Sequence, residues 1–316
     1  MEQVRLGNTG LTVSRLCYGT LTLGPLQAAL PVEEGAQLLC CAIERGVNFV
    51  DTAQLYETYP YIRRAMEISG ERDIIISTKT YAHTRELAAA ALEEARQELN
   101  RDYIDIFLLH EQESEHTLRG HRDALEYLLE QKQKGIIRAV GLSSHMVAGV
   151  DAAISAKLDI IHPLLNLTGL GICDGTREDM QVAVNQAYDA GMGIFSMKAL
   201  GGGNLFRQAE KCLEYAISLP YVHSVAVGMQ SQGEVDANID FFEGKGFSPA
   251  AKTALQNKTR RLHIESWCEG CGACVSRCGQ SALHLDKQGM AVCEESKCLL
   301  CGYCGAVCPD IAIKII

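Results

Sequence analysis

The feature that most constrains this chain is a cysteine pattern that occurs twice at an interval of 30 residues. CEGCGACVSRC begins at Cys268 and CLLCGYCGAVC at Cys298, and both read C-x2-C-x2-C-x3-C. Four thiols in so short a loop cannot all be packed as core, so they must hold something. Thiolates at the first three positions of an irregular loop converge on one iron-sulfur cube, while the fourth, expected at the start of a short helix, points toward a second. The spacing therefore predicts two [4Fe-4S] clusters, one on Cys268, Cys271, Cys274 and Cys308 and the other on Cys298, Cys301, Cys304 and Cys278. Zinc, the alternative, normally uses two separated CxxC pairs and needs four ligands. Nine of the 14 cysteines lie between Cys268 and Cys308. Disulfides are disfavoured, because MEQVRLGNTG lacks the basic flank and apolar run of an export signal.

Over residues 264 to 316 the sequence resembles the bacterial two-cluster ferredoxins, and the internal repeat strengthens the likeness. Each run is followed by a short apolar stretch suited to strand pairing. The first run ends in Cys278-Gly279 where that family usually has Cys-Pro, which loosens the backbone without removing a ligand. Cys293 lies outside both runs and reads as a packed thiol, as do Cys17, Cys40, Cys41, Cys173 and Cys212, since free cysteine is often buried.

Upstream, eight apolar β-rich runs alternate with helical patterns: LCYGT, VNFVDTA, IIISTK, IDIFLLH, AVGLSS, IIHPLLNL, GIFSMKAL and SVAVGM. Between them, apolar residues recur at spacings of three and four, as from Glu86 to Leu99 and from Asp123 to Lys134. Eight strands alternating with helices predict an α/β fold, a parallel (β/α)8 TIM barrel whose chemistry sits where the strands end. Ser248 to Leu262 reads as one more helix. The expected organisation is a barrel over 1–262 and a small α+β ferredoxin-like domain over 263–316.

Informative residues stand at the strand ends. Asp51 closes the second run with Tyr56 five positions later, Lys79 closes the third and His110 the fourth, so all four face one mouth. A tyrosine hydroxyl is too weak an acid at neutral pH unless a cation stabilises its phenolate, and Lys79 is placed to supply that cation. Asp51 would hold the ammonium, and His110 would donate to a carbonyl oxygen. Hydride arriving at carbon and a proton from Tyr56 at oxygen then yield an alcohol. ALGGGN, Ala199 to Asn204, follows the seventh run, where barrels often bind phosphate; the plainer reading is a turn.

LGNTGLTVSRLCYGT, DTAQLY, STK, FLLH and GLSSH together are similar to the aldo-keto reductases, from about residue 3 to about 243. The resemblance implies reversible, NAD(P)H-dependent carbonyl reduction by Asp51, Tyr56, Lys79 and His110. It also implies a nicotinamide site on Gly19, Thr20, Asp51, Ser143, Ser144 and His162, with Ser144 and His162 replacing the usual asparagine and glutamine. Met197 stands for the stacking tyrosine, and Lys198, Leu200 and Gly202 follow toward the pyrophosphate. VGMQSQGEVDAN, with Gly228, Met229, Gln230, Glu234 and Asn238, matches the adenosine-phosphate loop. Gly228 and Glu234 occupy positions where NADP-binding members often carry Lys and Arg, so NADP and NAD stay open with a lean to NAD.

The net charge of −10 opposes nucleic-acid or anionic-membrane surfaces, and no run approaches the roughly 18 apolar residues of a spanning helix. A cytoplasmic enzyme with a small carbonyl or alcohol substrate is expected. Two oxidoreductase readings remain. In one, nicotinamide drives a carbonyl reductase whose cluster tail is mainly structural. In the other, the clusters exchange single electrons with a redox partner and feed or drain the barrel site. Hydride moves two electrons and a cluster one, and no flavin motif that would divide the pair is evident.

Overall fold

The computed structural model describes residues 1–316, with the side chains at positions 256 and 257 outside the description. An antiparallel hairpin of β1 (Gln3–Arg5) and β2 (Thr12–Ser14) precedes eight parallel strands: β3 (Leu16–Gly19), β4 (Phe49–Asp51), β5 (Ile75–Thr80), β6 (Ile104–Leu109), β7 (Ile137–Ser144), β8 (Ile160–Pro163), β9 (Gly193–Ser196) and β10 (Ser224–Gly228). They close on themselves, β10 pairing with both β9 and β3. All eight expected strands are present.

These strands are buried on both faces, which is why their sequences run apolar without alternating. Inward side chains Cys17, Phe49, Ile75, Ile106, Leu108, Ala139, Ile160 and Phe195 pack with Leu6, Leu11 and Val13 of the hairpin. The hairpin thus plugs the end where the strands begin and leaves the opposite mouth for a site. The outer helices start and stop on local signals. Thr84 caps Arg85–Leu99 by accepting from the Leu87 amide, Ser231 does the same at Gln232–Phe242, and Gly70 ends Tyr59–Ser69 in the left-handed region.

After the barrel, a helix spans only Pro249–Asn257, shorter than expected. Leu262 instead enters β11 (Leu262–Ile264), because it pairs with Ile315 of β14 (Ile313–Ile315) at the far end of the chain. β12 (Leu283–Leu285) pairs with β13 (Ala291–Cys293). The apolar stretches behind the two cysteine runs are therefore strands, each with a partner outside the runs. Ala273–Arg277 is a short helix and Gly305–Val307 a single 3-10 turn. The fourth cysteines, Cys278 and Cys308, follow these elements rather than starting them, and both are extended.

The C-terminal segment seats on the loop after β9. The Ile315 amide donates to the Gly202 carbonyl at 3.1 Å, and Asn204 Nδ2 donates to the Ile313 carbonyl at 3.0 Å. Gly203 has φ +84, and a Cβ there would lie 1.9 Å from the Ile315 oxygen. The glycines of ALGGGN thus admit the close approach of a second backbone, a role the sequence reading did not weigh. Gly202 also lines a cavity described below.

Candidate active site

Asp51 ends β4, Lys79 lies in the last turn of pleat of β5, and His110 follows β6, so the barrel brings them to one rim; Tyr56 reaches it from a 3-10 turn, Gln54–Tyr56. Lys79 Nζ donates to Asp51 Oδ2 and to the Thr52 carbonyl, both at 2.7 Å, with Lys79 only 1% exposed. The same ammonium stands 5.0 Å from the Tyr56 ring centre, and Tyr56 Oη lies 3.5 Å from His110 Nε2. Tyr81 stacks on His110 at 4.4 Å.

The electrostatics differ from the sequence reading in one respect. Burial first, then Asp51, Glu111 and Tyr81, push the Tyr56 hydroxyl well above its ordinary value. Tyr56 therefore rests as the neutral acid, with the Lys79 ammonium, held by Asp51 and Thr52, beside its ring. Burial, then Lys79, His162 and Lys198, push His110 well down, and its Nδ1 is buried without a partner. A neutral imidazole with its proton on Nε2 is the form that faces the Tyr56 oxygen as a donor. His162 is likewise pushed down to about 4, chiefly by burial, and its Nδ1 meets the Phe195 carbonyl at 2.6 Å.

Three residues at this rim have left-handed backbones without being glycine: Glu57 after Tyr56, Glu111 after His110 and Lys198 after Met197, at φ 55, 49 and 58. Each such residue costs of order 1–3 kcal/mol and persists where the surroundings enforce it, commonly at functional sites.

Two cavities meet at Tyr56. One is lined by Gly19, Asp51, Tyr56, His162, Met197, Lys198, Leu200, Gly202, Gly228, Gln230 and Glu234, which gathers most of the expected cofactor positions on one wall. Thr20, Ser143, Ser144, Met229 and Asn238 are not on that wall. Thr20 Oγ1 bonds the Asp51 carbonyl, Ser143 Oγ accepts from the Glu111 amide, and Ser144 Oγ bonds both backbone groups of Met146. Met229 is buried with its carbonyl accepting from Tyr18 Oη, and Asn238 Nδ2 donates to the Glu234 carbonyl. Their polar groups brace the loops that shape the cavity.

The sequence reading missed three cations on the same wall, Lys258, Arg260 and Lys314. Lys258 Nζ donates to Glu234 Oε1 at 2.6 Å and to Gln230 Oε1 at 3.1 Å, and Arg260 stacks over Phe206 at 4.4 Å. Glu234 is therefore neutralised, and the positive charge sought on the β10 loop arrives from beyond the barrel. No local pattern near Gly228 signals it.

The second cavity is lined by Tyr56, Tyr81, His110, Glu111, His145, Met197 and Lys198 from the barrel and by Trp267, Pro309, Asp310, Ile311 and Lys314 from the C-terminal segment. The cysteine-rich segment therefore forms one side of it. Lys314 is buried and paired with Glu265, and its ammonium lies 4.8 Å over the Trp267 ring.

Cys268, Cys271, Cys274 and Cys308 line one small cavity together. Burial raises the Cys274 thiol, and Cys308, Cys268 and Cys271 add to that rise, a sign of how close the four stand. Cys298 and Cys301 act on Cys304 in the same way. Cys278 and Cys308 are placed alike, each sulfur accepting at 3.3 Å from the amide four residues on, Ala282 and Ala312. Cys293 is partly buried against this apolar cluster, and burial pushes its thiol up. Among the described residues, no three His, Cys, Asp or Glu side chains gather as a single-ion site. Ligands of a four-iron cage stand at its corners, farther apart than those of one ion.

A barrel with an ion-paired lysine, a neutral tyrosine and a neutral histidine at its C-terminal mouth defines an oxidoreductase-type site. The Aldo/keto reductase family matches residues 15–211, more than half of the chain, and the chain belongs to this family. Among curated relatives, aldo-keto reductase YhdN of Bacillus subtilis is 26% identical over 183 residues, 53% of this chain and 54% of that protein. L-galactose dehydrogenase of Arabidopsis thaliana is 22% identical, over 76% of this chain and 87% of that one. The chain thus spans about half the length of the first of these relatives. In fold it is similar to aldo-keto reductase AKR11C1 from Bacillus halodurans, with TM-score 0.65, 20% identity and coverage of 81% of this chain and 95% of that one. A Bombyx mori aldo-keto reductase in complex with NADP gives TM-score 0.61 at 17% identity, over 80% and 91%. Among the described residues, no helix is long and apolar enough to cross a membrane.

Proposed function

We propose that the chain is an NADP(H)-dependent carbonyl reductase whose C-terminal unit, from β11 onward, is a ferredoxin-like module holding two [4Fe-4S] clusters. The observation that carries the first part is the convergence of Tyr56, His110 and the Lys79–Asp51 pair where the two cavities meet. Bound reduced nicotinamide supplies the hydride. Tyr56 gives its proton to the carbonyl oxygen, His110 Nε2 donates to the same oxygen, and Lys79, fixed by Asp51, stabilises the tyrosinate that remains. His162, Met197, Leu200 and Gly202 would hold the nicotinamide and pyrophosphate end. Gln230, Lys258 and Arg260 would hold the adenosine end, where Arg260, the cation not paired with Glu234, favours a 2′-phosphate.

The thiol sets fit iron-sulfur ligation, with Cys308 grouped beside the first three cysteines of the other run as crossing requires. A second reading, in which the clusters pass single electrons to or from the barrel, draws on Trp267 and Pro309. These residues adjoin ligands Cys268 and Cys308 in sequence and line the cavity of Tyr56 and His110. Anaerobic addition of NADPH to the brown protein tests both readings. Turnover of a carbonyl with cluster absorbance unchanged supports the first; cluster reduction seen by electron paramagnetic resonance, with turnover driven by reduced ferredoxin alone, supports the second. Failure of NADPH and NADH alike to bind at millimolar concentration rules out the first.

A further inference from the structure

The cavity shared by the barrel and the C-terminal segment holds positive charge that the reaction at Tyr56 does not use. Lys198 follows Met197 in a left-handed backbone and lines both cavities. Among the described residues its ammonium has no hydrogen-bond or ion-pair partner. Lys314 is tied to Glu265 and Lys79 to Asp51, while Glu111 accepts from Tyr81 Oη at 2.5 Å and keeps its negative charge. Glu113 and Asp310 are exposed at the rim, where water solvates them. Beside Lys198 stands His145, whose Nε2 is buried without a hydrogen bond and lies 3.7 Å from the nearest Glu111 oxygen, too far to be one. His145 lines only the cavity that holds Tyr81, His110 and Trp267, not the one lined by Gly228 and Glu234.

Lys198 Nζ and His145 Nε2, with the imidazole proton on Nε2, both line a cavity that Trp267 also lines, and together they form a site for a carboxylate. A buried donor left unmatched is costly, and a carboxylate would satisfy both at once by charge-assisted bonds. We propose that Lys198 Nζ and His145 Nε2 bind the carboxylate of an anionic carbonyl substrate, so that the natural substrate is an oxo acid and its product a hydroxy acid. This rests on the carbonyl-reductase reading. The Trp267 indole, supplied by the C-terminal segment, would cover the apolar body of that acid, which gives the fused segment a part in selecting substrate.

The test uses the full-length, anaerobically purified chain with mandelate and its neutral isostere mandelamide, their binding measured by calorimetry without turnover. Mandelate should bind about ten-fold or more tightly than mandelamide, the scale of one charge-assisted bond. Lys198→Met and His145→Phe should each bring the ratio below about three-fold, while Lys198→Arg should keep it, which guards against a misfolded variant. His145→Phe should leave NADPH affinity unchanged, since His145 is not on the nucleotide wall. Equal binding of the two compounds, or a preference that survives both substitutions, overturns the proposal. The underlying reading is judged separately: reduction of a neutral aldehyde without any carboxylate preference would keep the reductase and remove this subsite. Mandelate selectivity lost with Lys198 in a protein that reduces no carbonyl would do the reverse.

Discussion

Lys79 and Asp51 form a 2.7 Å ion pair that is almost wholly removed from water, the lysine 1% and the aspartate 5% exposed. Taking away one partner strands the other. Asp51→Asn leaves Lys79 with the Thr52 carbonyl as its remaining strong acceptor, and a broken buried pair costs about 3–5 kcal/mol. Thermal unfolding should show that loss, together with a fall in turnover. An Asp51→Asn protein as stable and active as the parent would mean that the pair neither supports the fold nor orients the ammonium.

Tyr56→Phe should keep NADPH binding within two-fold and lower carbonyl reduction by about 100-fold or more, the usual scale for losing a general acid. Because burial and nearby anions raise the Tyr56 hydroxyl, it stays protonated throughout the neutral and mildly alkaline range. Parent turnover should therefore show no alkaline limb from this group below about pH 10, the ordinary tyrosine value. Stopped-flow reduction across pH 6 to 10 checks both points.

Cys308→Ala should remove the cluster on Cys268, Cys271 and Cys274 and leave the one on Cys298, Cys301 and Cys304, since Cys308 shares the cavity of the first three. Cys278→Ala should do the opposite. Iron analysis with paramagnetic resonance of each variant distinguishes the two, and loss of a variant's own run in place of the partner run would overturn the crossing.

Gly203→Ala should loosen the C-terminal segment from the barrel, because its Cβ would meet the Ile315 oxygen at 1.9 Å. Overpacking costs about 1–3 kcal/mol, and a side chain in the left-handed region about 1–2 more. Limited proteolysis should then cut between the barrel and β11 faster. Gly233→Ala, with nothing within 4 Å of its Cβ, serves as the neutral control.

Burial, then Lys314, pushes Lys198 down to about 8, against the pull of Glu111, Cys173 and Glu265. It is cationic at pH 7 and loses its proton as pH rises through that value, so preference for mandelate over mandelamide should fade between pH 7.5 and 9.5. A bound carboxylate favours the ammonium and moves the midpoint upward. For folding the sign is opposite: the native state binds fewer protons here than the unfolded chain, so this group's penalty eases as pH rises from about 8 toward the ordinary lysine range. A preference constant from pH 6.5 to 9.5 would exclude Lys198 as its source.

The sequence alone determined the barrel and the placement of Asp51, Tyr56, Lys79 and His110 at its mouth, because strand period, helix caps and strand-end position are local properties. The two cysteine runs stand out for the same reason, each being a short local spacing. What needed tertiary structure was every feature made by residues far apart in the chain. Leu262 left its expected helix to pair with Ile315, the ALGGGN glycines became the seat of a strand from the C-terminus, and Lys258 neutralised Glu234, 24 residues away. The direction of Tyr56's acidity also waited on the fold, since it is set by burial and by Asp51, Glu111 and Tyr81 beside it. Contacts of that kind depend on how the chain closes in space, and no window of neighbouring residues encodes them.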